Sequence, residues 1–239
     1  MHLGASYLPD PIDYERRVVR FLRSITPHCR RLFILGYALD YWYEYRTVVP
    51  RGFTRFFGCL AEMADAGIEI TWLIGNHDIW IFDYLPREIG MKVVDGSEIV
   101  MLHGKRFFLA HGDGLGKRSR GFRFIRSVFR NKVCQWLFAS IHPRWTVPLA
   151  HRWSSSSRGG TPYVSPNLGA DEPFVKWAIE YQSAHPQEPI DYFVFGHRHI
   201  LLDEPIGDDT RVIVLGDWIN YFSYGVWDGK DFRLEKFNN

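Results

Sequence analysis

Residues 68–78, IEITWLIGNHD, decide the fold of this 239-residue chain. The first seven form a short apolar run typical of a buried strand, and a glycine followed by three polar side chains ends it. Three other apolar runs end in a similar way, at Gly36-Tyr37, His111-Gly112-Asp113 and Gly196-His197-Arg198-His199. Because ligands bind outside the carboxyl ends of strands in α/β sheets, we expect these four strand ends to converge on one site.

Segments with helical spacing of apolar residues alternate with the apolar runs. They predict helices over residues 13–24, 52–66 and 171–183, and further strands over 32–36, 192–196 and 211–216. EIVML (98–102) and RFFLA (106–110) flank His103-Gly104-Lys105 and predict a hairpin. The fold class is therefore α/β, with a mixed sheet and helices outside it.

Composition narrows the class of protein. A hydrophobic content of 46% and an aromatic content of 16% predict a substantial core and argue against disorder. The three cysteines form no C-x-x-C pair, which favours a reducing compartment over a disulfide scaffold. No apolar run approaches the roughly 18 to 20 residues that cross a bilayer, and the first residues lack the pattern of a signal peptide. We therefore expect a cytoplasmic protein.

Charge is segregated along the chain. No acidic residue lies between Asp113 and Asp171, although ten Lys and Arg do, which leaves nineteen bases against all 27 acids in the remainder. Within this basic interval, apolar residues recur at steps of three and four over residues 122–137, with arginines between them. This spacing predicts one amphipathic basic helix.

Two interpretations of the basic interval remain open. The plain one is an ordinary helix with one face buried and the other solvated. The functional one is a surface that attracts anionic lipid, anchored at the interface by Trp136, Trp145 and Trp153. Nucleic acid is the competing polyanion, but the aromatic and aliphatic density favours lipid, so we expect membrane contact and no nucleic-acid partner.

The polar residues at the strand ends are of metal-ligating types. A single histidine motif is more often structural than functional, but four such motifs in this order, each after an apolar run, make coincidence improbable. His197 and His199 can both turn toward one centre, and Asn76 supplies a neutral oxygen. Imidazole together with amide or carboxylate oxygen suits Mn, Fe or Zn.

The order G-N-H-D, H-G-D and G-H-x-H resembles the calcineurin-like metallophosphoesterases. The resemblance extends to the UDP-2,3-diacylglucosamine pyrophosphatases of lipid A synthesis through MHLGA (1–5), LFILGYALDYW (32–42) and LGDW (215–218). It implies a β-sandwich flanked by helices, with a core formed by residues 1–114 and 171–239. A basic helical cap over residues 115–170 would be inserted into this core.

The resemblance also implies roles for individual residues. Two divalent cations of the Mn type would be held, one by His2 and His199 and the other by Asn76, His111 and His197. His77 would stabilise the phosphoryl group and Asp78 would orient it, with a helix N-cap as the alternative role of Asp78. The cap arginines Arg123, Arg126 and Arg158 would contact the substrate.

Two family carboxylates are missing from this sequence. The aspartate of D-x-H would fall before Met1, and Tyr37 occupies the position of the bridging aspartate. Two divalent ions about 4 Å apart repel by roughly 16 kcal/mol at an effective dielectric near 20, which the family offsets with carboxylates. Asp40 lies three residues beyond Tyr37, but we expect it to serve the loop, because the family pattern already has an acidic residue there.

The sequence also starts where the family's first strand should have ended. A missing central strand would leave a gap in a close-packed interior, so we expect Met1 to be internal to a longer reading frame.

The resemblance implies hydrolysis of UDP-2,3-diacylglucosamine to UMP and the lipid monophosphate, at the cytoplasmic face of the inner membrane. Two alternatives stay open. One is a different phosphoester substrate, and the other is a catalytically impaired homologue that binds lipid or membrane without turnover, which Tyr37 favours.

Overall fold

The computed structural model describes residues 1–116, 120–156 and 166–238, without the side chains of residue 122 and residues 151–156. The predicted substrate contact Arg158 and the predicted anchor side chain of Trp153 therefore lie outside the described residues. The chain divides into two compact units, Met1–Val93 with Arg118–Tyr163, and Val94–Lys117 with Val164–Asn239.

The first unit is built on a three-stranded sheet in the order β1-β2-β3. Strands β1 and β2 pair in parallel from Arg31 opposite Glu69 to Leu35 opposite Leu73, so their carboxyl ends lie side by side. The elements of this part of the chain are α1 (Pro11–Ile25), β1 (Arg31–Leu35), α2 (Thr54–Asp65), β2 (Glu69–Leu73), α3 (Tyr84–Ile89), β3 (Lys92–Val94), α4 (Arg120–Arg130), α5 (Lys132–Ala139) and α6 (Pro143–Ser156).

The second unit is built on a five-stranded sheet in the order β4-β5-β6-β8-β7, with a separate β9-β10 hairpin. The three inner strands are parallel and the two edge strands are antiparallel. Its elements are β4 (Ser97–Leu102), β5 (Lys105–Ala110), α7 (Pro173–Ala184), β6 (Tyr192–Phe195), β7 (Leu201–Ile206), β8 (Thr210–Leu215), β9 (Ser223–Trp227) and β10 (Phe232–Lys236). The predicted α/β class is confirmed.

The core of the second unit explains why its inner strands read as continuous apolar runs. Phe193 and Phe195 of β6 are fully buried, and they pack in one cluster with Phe108 of β5 and with Val175 and Ala178 of α7. A strand buried on both faces carries apolar residues on both of them, so its sequence shows no alternation of apolar and polar residues. Only the length of the apolar run then identifies it as a strand.

The predicted hairpin is confirmed with a two-residue loop. Leu102 pairs with Lys105, and the two loop residues, His103 and Gly104, both have positive φ. Two positive φ values in succession define the type I′ turn, whose twist matches that of the strands beside it.

Strand β7 was not predicted. It contains Pro205, which cannot donate a hydrogen bond to a neighbouring strand. The structure places β7 at an edge of the five-stranded sheet, where a proline is tolerated.

The prediction of one long basic helix over residues 122–137 is wrong. The segment forms two helices, α4 and α5, separated at Asn131. The Asn131 backbone is extended, and its side chain accepts hydrogen bonds from the backbone N–H groups of Val133 and Cys134. Asparagine is among the strongest N-cap residues, so this position starts a new helix instead of continuing the old one.

The helices of the predicted cap do not form a compact unit of their own, but group with the first unit. They are attached through aromatic side chains. The Trp80 ring lies 5.4 Å from Phe129 and stacks on Phe138 at 5.1 Å, while its indole N–H donates to the Phe129 carbonyl. The Tyr43 hydroxyl donates to the Gln135 carbonyl at 2.6 Å. The inner faces of α4 and α5 are therefore fixed to the loops that follow β1 and β2.

Glu44 is a buried carboxylate that caps helix α3 from a distant part of the chain. Its two oxygens accept five hydrogen bonds, from the backbone N–H groups of Phe82, Asp83, Tyr84 and Leu85 and from the indole N–H of Trp42. The first N–H groups of a helix have no partner within the helix, and a carboxylate there also meets the positive end of the helix dipole. Glu44 thereby fixes the start of α3 and the segment before it, which contains Trp80 and its contacts with the cap helices.

The first residues of the chain pair with the segment that follows β1. Leu3 forms a parallel bridge with Leu39, and the backbone N–H groups of His2 and Asp40 donate to Tyr37 and Leu3 respectively. Within residues 1–10 the structure has this pairing and no regular strand. The pairing places the side chain of His2 next to those of the loop after β1.

None of the described helices is both long and apolar enough to cross a bilayer.

Candidate metal centre and the loops that build it

In the first unit, the carboxyl ends of β1 and β2 bring Tyr37 and Asn76 together, as the sequence predicts. The Tyr37 hydroxyl donates a hydrogen bond of 2.5 Å to Oδ1 of Asn76. This is the oxygen that the resemblance assigns to a cation. In this structure the Asn76 oxygen therefore accepts a hydrogen bond from Tyr37, which occupies the position of the bridging aspartate.

A cluster of His2, Asp40 and His77 lies beside this pair. Nδ1 of His2 is 3.4 Å from Oδ1 of Asp40, and Nδ1 of His77 is 3.6 Å from the same oxygen. The side chains of His2 and Asp40 are buried, and that of His77 is 11% exposed. Within the described residues, this is the one group of three or more His, Cys, Asp and Glu side chains with ligand atoms within 4.8 Å of one another.

Asp78 holds the loop that carries Asn76 and His77. Its two oxygens accept hydrogen bonds from the indole N–H of Trp72 at 2.9 Å and from the backbone N–H of Gly75 at 2.6 Å. Burial raises the pKa of this carboxyl to about 6, although both hydrogen bonds oppose the shift. The aspartate is thus part of the structure of the loop.

Two predictions for Asp78 need correction. The alternative role as a helix N-cap is wrong, because the next helix begins at Tyr84. The predicted orientation of the His77 ring by Asp78 is not seen either, since the Asp78 oxygens bind Trp72 and Gly75. The main-chain carbonyl of Asp40 contacts Nδ1 of His77 instead, at 3.0 Å.

In the second unit, the strand ends also converge as predicted. β5 and β6 are parallel neighbours, with Ala110 opposite Phe195, so the residues that follow them meet. Nδ1 of His197 lies 3.2 Å from Nε2 of His111. Two ring nitrogens at this distance share one hydrogen bond, with one nitrogen as donor and the other as acceptor.

The third parallel strand of this unit adds a residue that sequence analysis did not assign. Asp217 follows β8, and its Oδ2 lies 3.4 Å from Nδ1 of His199. Burial raises the pKa of Asp217, but hydrogen bonds from His199 and from the backbone N–H groups of Asn220 and Tyr221 outweigh it and hold the pKa at about 2. Asp217 orients His199 as carboxylates orient metal-ligating histidines.

The loop between His197 and His199 is held by a buried ion pair. Arg198 donates two hydrogen bonds of 3.2 Å to the two oxygens of Glu172, which is fully buried at the start of α7. A bidentate pair of this kind fixes both the position and the plane of the guanidinium. The motif is therefore tied to a helix on its own unit.

Backbone strain concentrates at these residues. Seven non-glycine residues in the described part of the chain have positive φ, and four of them are His2, Tyr37, His197 and His199. Such conformations cost on the order of 1–3 kcal/mol each for residues other than glycine, and they cluster at functional sites. His2 and Tyr37 belong to the first unit, and His197 and His199 to the second. Convergence of the two sets on one centre stays a prediction.

The metal ligands implied by the resemblance fit the first unit only in part. The imidazole of His2, one of the implied ligands, lies beside the buried carboxylate of Asp40, and these ligand types suit a divalent cation of the Mn, Fe or Zn class. A second cation bridged at position 37 does not fit, because a phenol occupies that position and its hydroxyl is bound to Asn76.

The cap helices expose apolar and basic side chains together. Phe124, Trp136 and Trp145 are each about two-thirds exposed or more, at 70%, 67% and 70%, and Val133 and Leu149 are also exposed. Arg123 on α4 is exposed, and Arg126 is partly buried. These exposed apolar side chains are not part of the solvated polar face that the plain interpretation of the basic interval predicts.

Comparison with known proteins identifies the family. No family model matches the chain. A UDP-2,3-diacylglucosamine hydrolase from Porphyromonas gingivalis is 42% identical over an alignment of 247 positions, which covers 98% of this chain and 94% of that protein. The chain belongs to the UDP-2,3-diacylglucosamine hydrolase family. A family member from Pseudomonas fluorescens is 28% identical and covers 95% of this chain and 90% of its own length.

Among solved structures, the phosphoesterase YfcE from E. coli matches with a TM-score of 0.43 and 17% identity, covering 94% of this chain and 82% of that chain. The resemblance drawn from G-N-H-D, H-G-D and G-H-x-H is confirmed by the sequence relatives, which are hydrolases by name.

Proposed function

We propose that this chain hydrolyses the pyrophosphate bond of UDP-2,3-diacylglucosamine. Water adds across the anhydride, one phosphorus–oxygen bond breaks, and the products are UMP and the lipid monophosphate. The observation that carries the proposal is the 42% identity to a hydrolase of that name along almost the whole chain. The loops after β1 and β2, with their buried imidazole and carboxylate groups, supply side chains suited to phosphoryl chemistry.

His77 is the residue we assign to the phosphoryl group. A carbonyl only accepts hydrogen bonds, so the contact with Asp40 places the Nδ1 proton of His77 on that carbonyl and orients the ring. A bound divalent cation, which we propose to be Mn²⁺, would supply Lewis acidity and lower the pKa of water. His2, Asn76, His111, His197 and His199 remain the candidate ligands that the family resemblance implies.

The cap supplies the proposed binding surface for the lipid-linked substrate. Arg123 and Arg126, and Arg158 outside the described residues, offer positive charge to the diphosphate or to the anionic leaflet. The exposed Trp136 and Trp145 offer apolar area on the other two cap helices, α5 and α6. We infer that the protein works at the cytoplasmic face of the inner membrane.

The activity is tested by measuring UMP release from UDP-2,3-diacylglucosamine in the presence of Mn²⁺. We expect slow but measurable release by the unmodified chain. His77→Ala is expected to lower the rate by about 100-fold, the loss typical of removing one group that stabilises charge in the transition state. His28→Ala, at an exposed histidine outside the candidate site, is the matched control and is expected to leave the rate unchanged. Absence of UMP with the unmodified chain would contradict the proposal.

Membrane contact is tested separately with anionic vesicles. The double substitution Arg123→Gln and Arg126→Gln is expected to weaken vesicle binding by about 30-fold, at about 1 kcal/mol for each base near the surface. Arg51→Gln, at an exposed arginine that is not part of the cap helices, is the matched control. Equal or tighter binding to duplex DNA at the same salt concentration would contradict the lipid interpretation.

A second candidate function is lipid binding without turnover. The Tyr37–Asn76 hydrogen bond favours it, because it removes a carboxylate and engages a ligand oxygen. Vesicle binding without any UMP release would support this candidate over the hydrolase.

A further inference from the structure

We propose that the hydroxyl groups of Tyr43 and Tyr45 position helices α5 and α6 for binding the lipid part of the substrate. The proposal rests on the proposed function, in which the cap binds the lipid-linked substrate. Both tyrosines lie beyond LFILGYALDYW (32–42), the stretch that carries the family resemblance, and neither belongs to the candidate metal centre. Loss of either hydroxyl is expected to weaken lipid binding and to leave the chemical step unchanged.

The cap helices have almost no buried core of their own. Among the side chains that the structure describes within residues 120–150, that of Thr146 is the one buried, at 1% exposed. Most helices in proteins are held by the burial of an apolar face, and a segment with few buried apolar contacts opens easily. Hydrogen bonds to the rest of the first unit therefore carry much of the task of fixing the cap.

Two tyrosine hydroxyls supply such hydrogen bonds, one to each of two cap helices. Tyr43 is 2% exposed, and its hydroxyl donates to the main-chain oxygen of Gln135 in α5 at 2.6 Å. The hydroxyls of Tyr45 and Thr146 share a hydrogen bond of 2.6 Å, which holds α6. A hydrogen bond restricts both distance and direction. The two bonds therefore define where each helix lies.

The contact at Gln135 extends to the end of α4. The side-chain amide of Gln135 donates to the carbonyl of Phe129 at 2.9 Å, and the indole N–H of Trp80 donates to the same carbonyl at 3.0 Å. Carbonyl groups in the last turn of a helix have no partner within that helix. These two donors satisfy one of them, so the corner between α4 and α5 is held together with Tyr43.

The tyrosines hold the cap close to the candidate metal centre. Tyr43 forms a parallel bridge with Trp80, and the N–H of Glu44 donates to the Trp80 carbonyl at 3.1 Å. Tyr43 follows Asp40 by three residues, and Trp80 follows His77 by three. Three residues of extended chain span at most about 11 Å. The support of the cap is thus a short, defined distance from the residue assigned to the phosphoryl group.

A positioning role of this kind predicts an effect on binding and none on the chemical step. Contacts between the cap and the lipid exist both before and during bond cleavage. The loss of such uniform binding raises KM and leaves kcat unchanged, whereas the loss of a group that acts only in the transition state lowers kcat.

The test uses Tyr43→Phe and Tyr45→Phe, which keep the ring and remove one hydroxyl each. Hydrogen exchange is expected to accelerate in α5 for the first variant and in α6 for the second. Titration with the lipid monophosphate is expected to show about 5- to 10-fold weaker binding, the loss typical of one neutral hydrogen bond. KM for UDP-2,3-diacylglucosamine is expected to rise by the same factor, with kcat within about twofold of the original value.

Tyr224→Phe is the matched control. The Tyr224 hydroxyl donates to Glu235 at 2.9 Å in the β9-β10 hairpin, so this variant also loses one tyrosine hydrogen bond, and lipid binding is expected to stay unchanged. Adding Thr146→Val to Tyr45→Phe is expected to have little further effect, because both substitutions break the same bond. Thermal melting of each variant checks that the fold is retained.

Unchanged exchange and lipid binding in both tyrosine variants, or a lower kcat at constant KM, would overturn the proposal. Additive effects of Tyr45→Phe and Thr146→Val, or no binding of the lipid monophosphate by the unmodified chain, would do the same. Because exchange and lipid binding need no turnover, they separate the two proposals. The expected losses without any UMP release refute the activity alone, whereas UMP release with lipid binding that ignores both hydroxyls refutes the positioning role alone.

Discussion

Tyr37→Asp is expected to raise the rate of UMP release by about 100-fold and to add one equivalent of bound cation. The substitution removes the phenol that packs against His2 and His77, releases Oδ1 of Asn76 and adds a negative charge at the end of β1. A gain of this size corresponds to one strong electrostatic contribution to the transition state. UMP release and cation content, measured on the same samples, check the prediction.

The substitution should not damage the fold. Residue 37 has a φ of 53°, in the left-handed region that aspartate tolerates better than tyrosine does. Tyr37→Phe is the matched control, because it frees Asn76 but adds no charge, and it is expected to gain neither cation nor rate. A Tyr37→Asp protein that behaves like the unmodified chain would show that the missing carboxylate does not limit this enzyme.

Glu44→Ala is expected to lower the free energy of unfolding by about 4 kcal/mol. Four backbone N–H groups and one indole N–H lose their acceptor together, and a buried donor without a partner costs about 1–3 kcal/mol. Partial access of water to the start of α3 keeps the total below the sum of five such costs. Denaturant-induced unfolding measures the difference.

The control for this prediction is Glu69→Ala. Glu69 is 68% exposed, and its carboxylate pairs with Arg31 at the surface, so a change within about 0.5 kcal/mol is expected. A Glu44→Ala protein as stable as the Glu69→Ala protein would mean that solvent replaces the buried carboxylate as the cap of α3.

The strand ends were predictable because buried parallel strands leave a signal that is both local and simple. IEITWLIGNHD and the other apolar runs with their glycines mark where each strand stops, and parallel pairing then aligns the ends. This is why Tyr37 meets Asn76 and why His111 meets His197. The lengths of the apolar runs and the glycines that end them were sufficient to predict these strand ends.

The missed residues depend on contacts between distant segments. Asp40 reads as a loop residue until the pairing of Leu3 with Leu39 sets it beside His2. Asp217 follows an apolar run and a glycine like the other strand ends, so the same signal could have found it. The break at Asn131 was also visible, since asparagine before a new apolar period is a common helix start.

The pairing of Arg198 with Glu172 bears on how the second unit meets a ligand. Turning the loop would require breaking two charge-assisted hydrogen bonds and leaving a fully enclosed carboxylate without its counter-ion. The imidazoles on either side of the arginine are consequently preorganised, so that little reorientation remains to oppose binding. A lysine in this place would keep the charge but lose the planar fork that sets the angle of the loop.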